Sequence, residues 1–316
     1  MTASISAGSG PGNYPVEPTA ITVRVPATSA NLGAGFDCLG LALDLFASIT
    51  ITFSDDEHPP TEDIGEKMVL SAVRAFYQET GRMAPANVRA NYLVAIPLGR
   101  GLGASAVARV AGALAANEFE GRPLAIHDVM AIASDLEGHG DNACPAVFGG
   151  MQVCVGHAGN YTRVGCKYPP DTQMAILIPD HTMATKDARK ALPESYSKAD
   201  AVHNIGRSAL FVAAMAAGRM DALHEATQDR IHQPQRASLF PPMFEVFEAA
   251  RGAGAHAAWL SGAGSSIAAI CPDGAGRKVA SAMMSTLTTV GMTGRSLVTR
   301  IAAEGATVSR VELVKG

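Results

Sequence analysis

Three glycines at two-residue spacing, Gly99, Gly101 and Gly103, follow Pro97 and lead directly into Ala104-Ser105-Ala106. Beyond them Val107, Val110, Ala111 and Leu114 recur at helical spacing, so the stretch reads as a glycine loop feeding a helix. Glycine lets successive backbone N–H groups converge on one point, and a helix N-terminus adds partial positive charge there. The occupant this chemistry favours is an anion, phosphate first. The loop does not end in Gly-Lys-Ser/Thr, and it is not a G-x-G-x-x-G followed by an acidic residue at dinucleotide-fold spacing, so neither common nucleotide fingerprint applies. Taken alone, it is equally a short turn before a buried alanine-rich helix.

Other polar clusters have two readings as well. Asn31 and Asp37 stand in the polar turn TSANLGAGFDCLG between two β-patterned stretches, where ordinary turn formers are expected. Glu137, His139, Asp141 and Asn142 close a helical stretch from Ile126 to Leu136, and a helix C-terminal turn would account for them. Thr185 and Arg189 belong to a short charged helix, and His232-Gln-Pro-Gln-Arg236 reads as a helix stopped by Pro234.

Taken together, the clusters resemble the GHMP kinases. The segment Pro97 to Ala106 is similar to their P-x3-G-L-G-S-S-A phosphate loop, with Ala104 in place of the first serine. Pro26 to Gly40 resembles the P-A-T-S-A-N-L-G-x-G-F-D-x-x-G motif of the homoserine kinase branch nearly residue for residue. Glu137 to Gly150 resembles E-G-H-P-D-N-x-x-P-A-x-x-G-G, departing mainly at Gly140, and Ser261-Gly262-Ala263-Gly264 resembles the third motif of the family. A further departure is Lys67-Met68, where the family carries an Asn-Leu pair near the nucleotide base, after a loop that looks short.

The resemblance implies an α+β fold of two lobes. A ribosomal S5-like lobe would run from residue 21 to 165 and a ferredoxin-like lobe from 166 to 316, after a flexible tail of residues 1–20. It implies ATP-dependent phosphorylation of L-homoserine, a step toward threonine. ATP would be held by Pro97, Leu98, Gly99, Arg100, Gly101, Leu102, Gly103, Ala104, Ser105 and Ala106. Mg²⁺ would be held by Ser105 and Glu137, hard oxygen donors of the kind it prefers. Asn31, Asp37, His139, Thr185, Arg189, Arg236 and Gly262 would line the amino-acid site. Asp37 would face the substrate ammonium, and Arg236 would fork onto the carboxylate. Asn142 and Arg189 would position the attacking hydroxyl, with Asp141 as a structural or electrostatic partner. Two other readings stay open: a kinase of the same scaffold for another small hydroxylated amino acid, and a nucleotide-binding homologue without turnover.

The elements that must position these groups are legible in outline. ITVRVPAT and ALDLFASITITF alternate as half-buried strands, KMVLSAVRAFYQETG is an amphipathic helix capped by Gly81, and VRANYLVAIP is a strand delivering the glycine loop. Turn formers at residues 155–173 suggest a boundary. After it the order strand, two helices, two strands, helix, strand is that of a split ferredoxin-like lobe, with a long helical stretch from Ala199 to Ala226 following the first strand MAILIPD and paired strands RSLVTRIAA and TVSRVEL at the end.

At 316 residues the chain can bury a sizeable core, and its net charge of −4 with scattered Lys and Arg suggests neither nucleic acid nor an anionic membrane as partner. Five cysteines without a C-x2-C pair argue against a disulfide framework or zinc site and fit a reducing cytoplasm. The N-terminus lacks the basic and apolar regions of a signal peptide. A homodimer is compatible with the resemblance.

Overall fold

Ile21, Val23 and Val25 are fully buried while Arg24 between them is exposed, the alternation of a strand with one face on a core. In the computed structural model, which describes residues 19–55 and 59–311, this strand is β1 (Thr19–Ala30). It is followed by β2 (Leu39–Ser54), α1 (Ile64–Thr80), β3 (Asn87–Val94), α2 (Ala104–Phe119), α3 (Ile126–Glu137), α4 (Ala143–Phe148), β4 (Met151–His157) and β5 (Asn160–Cys166). The second half contains β6 (Gln173–Pro179), α5 (Thr185–Lys190), α6 (Lys198–Ala217), α7 (Leu223–Ala226), α8 (Gln233–Arg236), α9 (Met243–Gly252), β7 (Ala257–Leu260), β8 (Ile267–Cys271), α10 (Gly276–Thr289), β9 (Gly294–Arg300) and β10 (Thr307–Val311).

Two antiparallel sheets result. The first has the order β10-β1-β2-β4-β5 with β3 also paired to β2, and the second has the order β7-β8-β6-β9. In the second sheet the chain order of the strands reads fourth, first, third, second from the β9 edge, which is the ferredoxin-like arrangement. The α+β, two-lobed expectation therefore holds.

Three apolar clusters bind the layers together. One lies between the first sheet (Ile21, Ile49, Ile51) and α1 to α3 (Val69, Phe76, Val110, Val129). A second lies under α9 and α10, where Val246, Val279, Met283 and Leu287 meet Leu177 and Ala269. The third joins the lobes: Leu39, Leu41 and Leu43 pack with Met174, Ile176, Phe211 and Trp259. A register shift between Pro26 and Ala27 lets the same strand pair serve both sides. Before it Val23 and Val25 face the helices, and after it Ala27 faces the inter-lobe core. Beyond the shift the strand brings Asn31 to the cavity described below and Thr28 behind its wall.

Four sequence expectations need correction. Thr19 and Ala20 belong to β1 and not to a tail, while residues 1–18 lie outside the described residues. Residues 155–166 form most of the β4–β5 hairpin, where the exposed Val155 and Val164 give no clean apolar alternation among the glycines. The helical stretch from 199 stops at Gly218, which adopts the left-handed conformation (φ 68°). Finally, β9 and β10 are not paired: β9 bonds β6, and β10 crosses back to bond β1. Both strands alternate acceptably, so periodicity alone could not choose between partners.

Candidate active site

The glycine loop behaves as its composition requires. Gly99, Gly101 and Gly103 all have φ between 65° and 71°, and Gly103 caps the N-terminus of α2. A side chain at position 103 is excluded by space as well as by φ, because a Cβ there would lie 2.0 Å from Thr28 Oγ1. Backbone bonds tie the loop to both lobes: Thr28 N donates to Leu102 O at 3.1 Å, Met183 N to Gly99 O at 3.1 Å and Ser266 N to Arg100 O at 3.1 Å. Arg100 Nη1 is buried without a hydrogen-bond partner among the described residues, in a loop shaped to hold an anion.

Behind the loop, Ser105 in the first turn of α2 donates to Glu137 Oε2 at 2.9 Å, and Arg109 one turn later pairs with Glu137 Oε1. Glu137 ends α3, and Gly138 (φ 85°) reverses the chain so that His139, Asp141 and Asn142 turn back toward the loop. The reversal needs Gly40 opposite it, since a Cβ at position 40 would sit 1.8 Å from Asp141 O. Asn142 Oδ1 accepts from Thr28 Oγ1 at 2.7 Å, and Asn142 Nδ2 donates to Asp141 Oδ1 at 3.1 Å. The His139 ring pairs with the same Asp141 oxygen. Burial pushes the His139 pKa down, but the Asp141 carboxylate, through its charge and hydrogen bond, and Asp37 outweigh burial and raise it to about 9. The pair is thus an imidazolium held by a carboxylate at neutral pH.

Across the cavity, Arg189 of α5 makes a two-pronged contact with Asp37, Nη1 to Oδ2 at 3.1 Å and Nη2 to Oδ1 at 2.9 Å. Asn31 lines the cavity while donating to Gly262 O at 2.9 Å and accepting from Asp37 N at 3.0 Å, so its amide also holds two chain segments together. Arg236 is buried and gives Nε to Ala188 O at 3.1 Å and Nη1 to Gly262 O at 3.0 Å. His232 Nε2 donates to Gly33 O at 2.7 Å, and burial lowers its pKa, so its neutral Nδ1 faces Arg236 Nη1 at 3.3 Å. No carboxylate lies in ion-pair range of Arg236 among the described residues. Its pKa is lowered to about 10, by burial first and then by the charge of Arg189. It is a buried cation with a ring face below it, Phe36, and no anion of its own.

Asn31, Asp37, Ser105, Glu137, His139, Asp141, Asn142, Arg189 and Arg236 line one cavity of about 370 Å³ together with the glycine loop. Of the expected site residues, Leu102 and Ala106 alone do not reach it; both are buried in the packing behind the loop. Thr185 lines it from the start of α5. At the far end Ile64, Met68, Pro97 and Leu98 form an apolar wall, while Lys67 turns away to pair with exposed Glu62. Sequence reasoning missed Phe36, Ile64, Met183 and Ala263 in the lining, Thr28 behind Asn142, and Arg109 behind Glu137. Arg109 had a signal, since it follows Ser105 by four residues in a helix and therefore shares its face. As a donor set, Ser105 Oγ and Glu137 Oε2 fit a hard divalent cation: two oxygens side by side next to the glycine loop.

Residues 67–150 match the family model of the GHMP kinases N terminal domain, and residues 211–287 match that of the GHMP kinases C terminal. The chain is similar to a homoserine kinase of Synechocystis sp., 37% identical over 92% of this chain and 98% of the relative. It is also similar to one of Desulfitobacterium hafniense, 36% identical over 91% and 99%. Among solved structures, a homoserine kinase from Cytophaga hutchinsonii superposes with a TM-score of 0.82 at 27% identity, over 92% of this chain and 97% of the other. A galactokinase from Lactococcus lactis superposes with a TM-score of 0.70 at 14% identity, over 91% and 95%, which speaks for the fold alone.

Proposed function

The chain belongs to the homoserine kinase family of the GHMP kinases, and from that premise we propose that it transfers the γ-phosphoryl group of ATP to the hydroxyl of L-homoserine, giving ADP and O-phospho-L-homoserine. The observation that carries the choice of acceptor is Arg236. A buried guanidinium without a carboxylate partner costs several kcal/mol in general unless an anion completes it, and a substrate α-carboxylate is the anion of the right shape. Asp37 supplies the opposite charge from the same cavity for the α-ammonium, once Arg189 yields its fork. An acceptor with both charges on one carbon is an amino acid.

The triphosphate is received by the backbone of Gly99 to Ser105 and the N-terminus of α2. Mg²⁺, when held by Ser105 Oγ and Glu137 Oε2, supplies neutralising charge to the phosphate oxygens. Asn142 and Arg189 orient the hydroxyl; its oxygen forms the new P–O bond as the bond to the ADP oxygen breaks, and the proton leaves with the product phosphate or to water. Asp141 Oδ1 is engaged by both His139 and Asn142, which supports a positioning role over that of a general base. Alignment and charge neutralisation suffice for a loose transition state, which builds little charge on the attacking oxygen. The apolar wall of Ile64, Met68 and Leu98 suits the nucleotide base. No helix among the described residues is long and apolar enough to cross a membrane, and all five cysteines are free, in keeping with a cytoplasmic enzyme.

A coupled ADP-release assay against homoserine, threonine, serine, mevalonate and no acceptor tests the proposal. Homoserine-dependent turnover well above the rest supports it. Equal or greater turnover with another acceptor refutes the substrate, and ADP release indifferent to every acceptor refutes the kinase.

A further inference from the structure

The ion pair behind the phosphate loop has a consequence for how a metal enters. Arg109 and Ser105 stand one turn apart on the same face of α2, and both reach Glu137, each taking one of its two oxygens. The Glu137 and Arg109 side chains are only 8% and 21% exposed, so their charges are poorly screened by water. Arg109 Nε is buried with no partner among the described residues, which leaves Glu137 as the chief anchor of this guanidinium. A carboxylate already matched by an arginine offers a cation no net negative charge and one oxygen instead of two.

We infer that Arg109 is a positioning and charge-balancing residue for Glu137, which keeps a free divalent cation from loading and admits it only together with the nucleotide. By holding Oε1, the guanidinium turns Oε2 toward Ser105 Oγ and closes the two-oxygen chelate. By its charge it cancels the attraction that a lone Glu137 would exert on a hydrated cation. The triphosphate brings the missing negative charge, so metal and nucleotide arrive as one complex. The inference rests on Ser105 and Glu137 as the metal site.

Free Mn²⁺ is the probe, added to the full chain without nucleotide or acceptor and followed by the loss of its aqueous electron paramagnetic resonance signal. Arg109→Met and Arg109→Gln are each expected to bind Mn²⁺ about tenfold or more tightly than wild type, because an unscreened positive charge has been removed within a few ångströms of the site. Arg109→Lys, which keeps the charge, stays near wild type. Adding Glu137→Gln to Arg109→Met abolishes the gain. Thermal melts of each variant identify any that misfold, and the two neutral variants report independently. Unchanged or weaker Mn²⁺ binding in both neutral variants, with Glu137→Gln still lowering it, overturns the role of Arg109 and leaves the metal site standing. A gain that survives Glu137→Gln overturns the metal site itself.

Discussion

Ser105 and Glu137 are the proposed metal ligands, and each can be removed with little change of shape. Ser105→Ala and Glu137→Gln are expected to lower turnover strongly, by about 10²-fold or more, and to be partly rescued by raised magnesium, since each deletes one hard oxygen from the proposed Mg²⁺ shell. Magnesium titrations at fixed ATP check this; wild-type activity at low magnesium in either variant removes that residue from the metal site. His139 gives a pH signature. Its pKa rises from 6.5 to about 9 in the folded chain, so the stabilisation from the Asp141 pair is complete below about 6.5 and is lost as pH climbs through about 9. The fall is on the order of 1–3 kcal/mol, and His139→Gln should flatten it in denaturant titrations from pH 6 to 10. A parallel pH dependence in the variant would assign the loss to other groups. At this scale the sequence was informative about the cavity because its motifs hold most lining residues in short runs. Partners such as Thr28 and Arg109 act from behind, and what they touch is set by tertiary contact.

The glycine loop and its helix show how an element is built for a site. Gly103→Ala puts a side chain into the left-handed region and against Thr28, so it should cost about 1–3 kcal/mol and weaken binding of a non-hydrolysable ATP analogue. The helix cap at Asp63, whose carboxylate accepts from Glu66 N at 2.7 Å, provides the contrast. Asp63→Ala should cost about 1 kcal/mol with analogue affinity unchanged. Denaturation and calorimetry separate the two cases, and equal effects of both variants on affinity would contradict the assignment of the loop. Helix α1 also begins at Ile64, before the stretch that periodicity picked out, because the start depends on the Asp63 cap, which is invisible to an apolar pattern. Strand and helix types were legible wherever alternation or helical spacing reached five or more residues. The β4–β5 hairpin, with exposed valines and three glycines, was not.

The whole molecule explains why the proposed acceptor site is split across the chain. Asp37 comes from the first sheet's β1–β2 loop, Arg189 and Arg236 from the second half, and the inter-lobe cluster around Phe211 and Trp259 holds them at one cavity. Fold class was legible through the family resemblance that the motifs carry, but the return of β10 to β1 was not, since it depends on which sheet offers an open edge. That convergence puts the central claim, that Arg236 reads the carboxylate of a small amino acid, within reach of one measurement. The kcat/KM for homoserine is divided by that for 3-aminopropan-1-ol, which keeps the amine and hydroxyl but lacks the carboxylate, in wild type and in Arg236→Ala. Loss of a charged hydrogen-bonding partner is worth about 2–4 kcal/mol, so the wild-type ratio should be roughly 30 to 1,000 and should collapse toward one in the variant, whatever fraction of it is folded. A ratio that remains as large in Arg236→Ala as in wild type would contradict the claim.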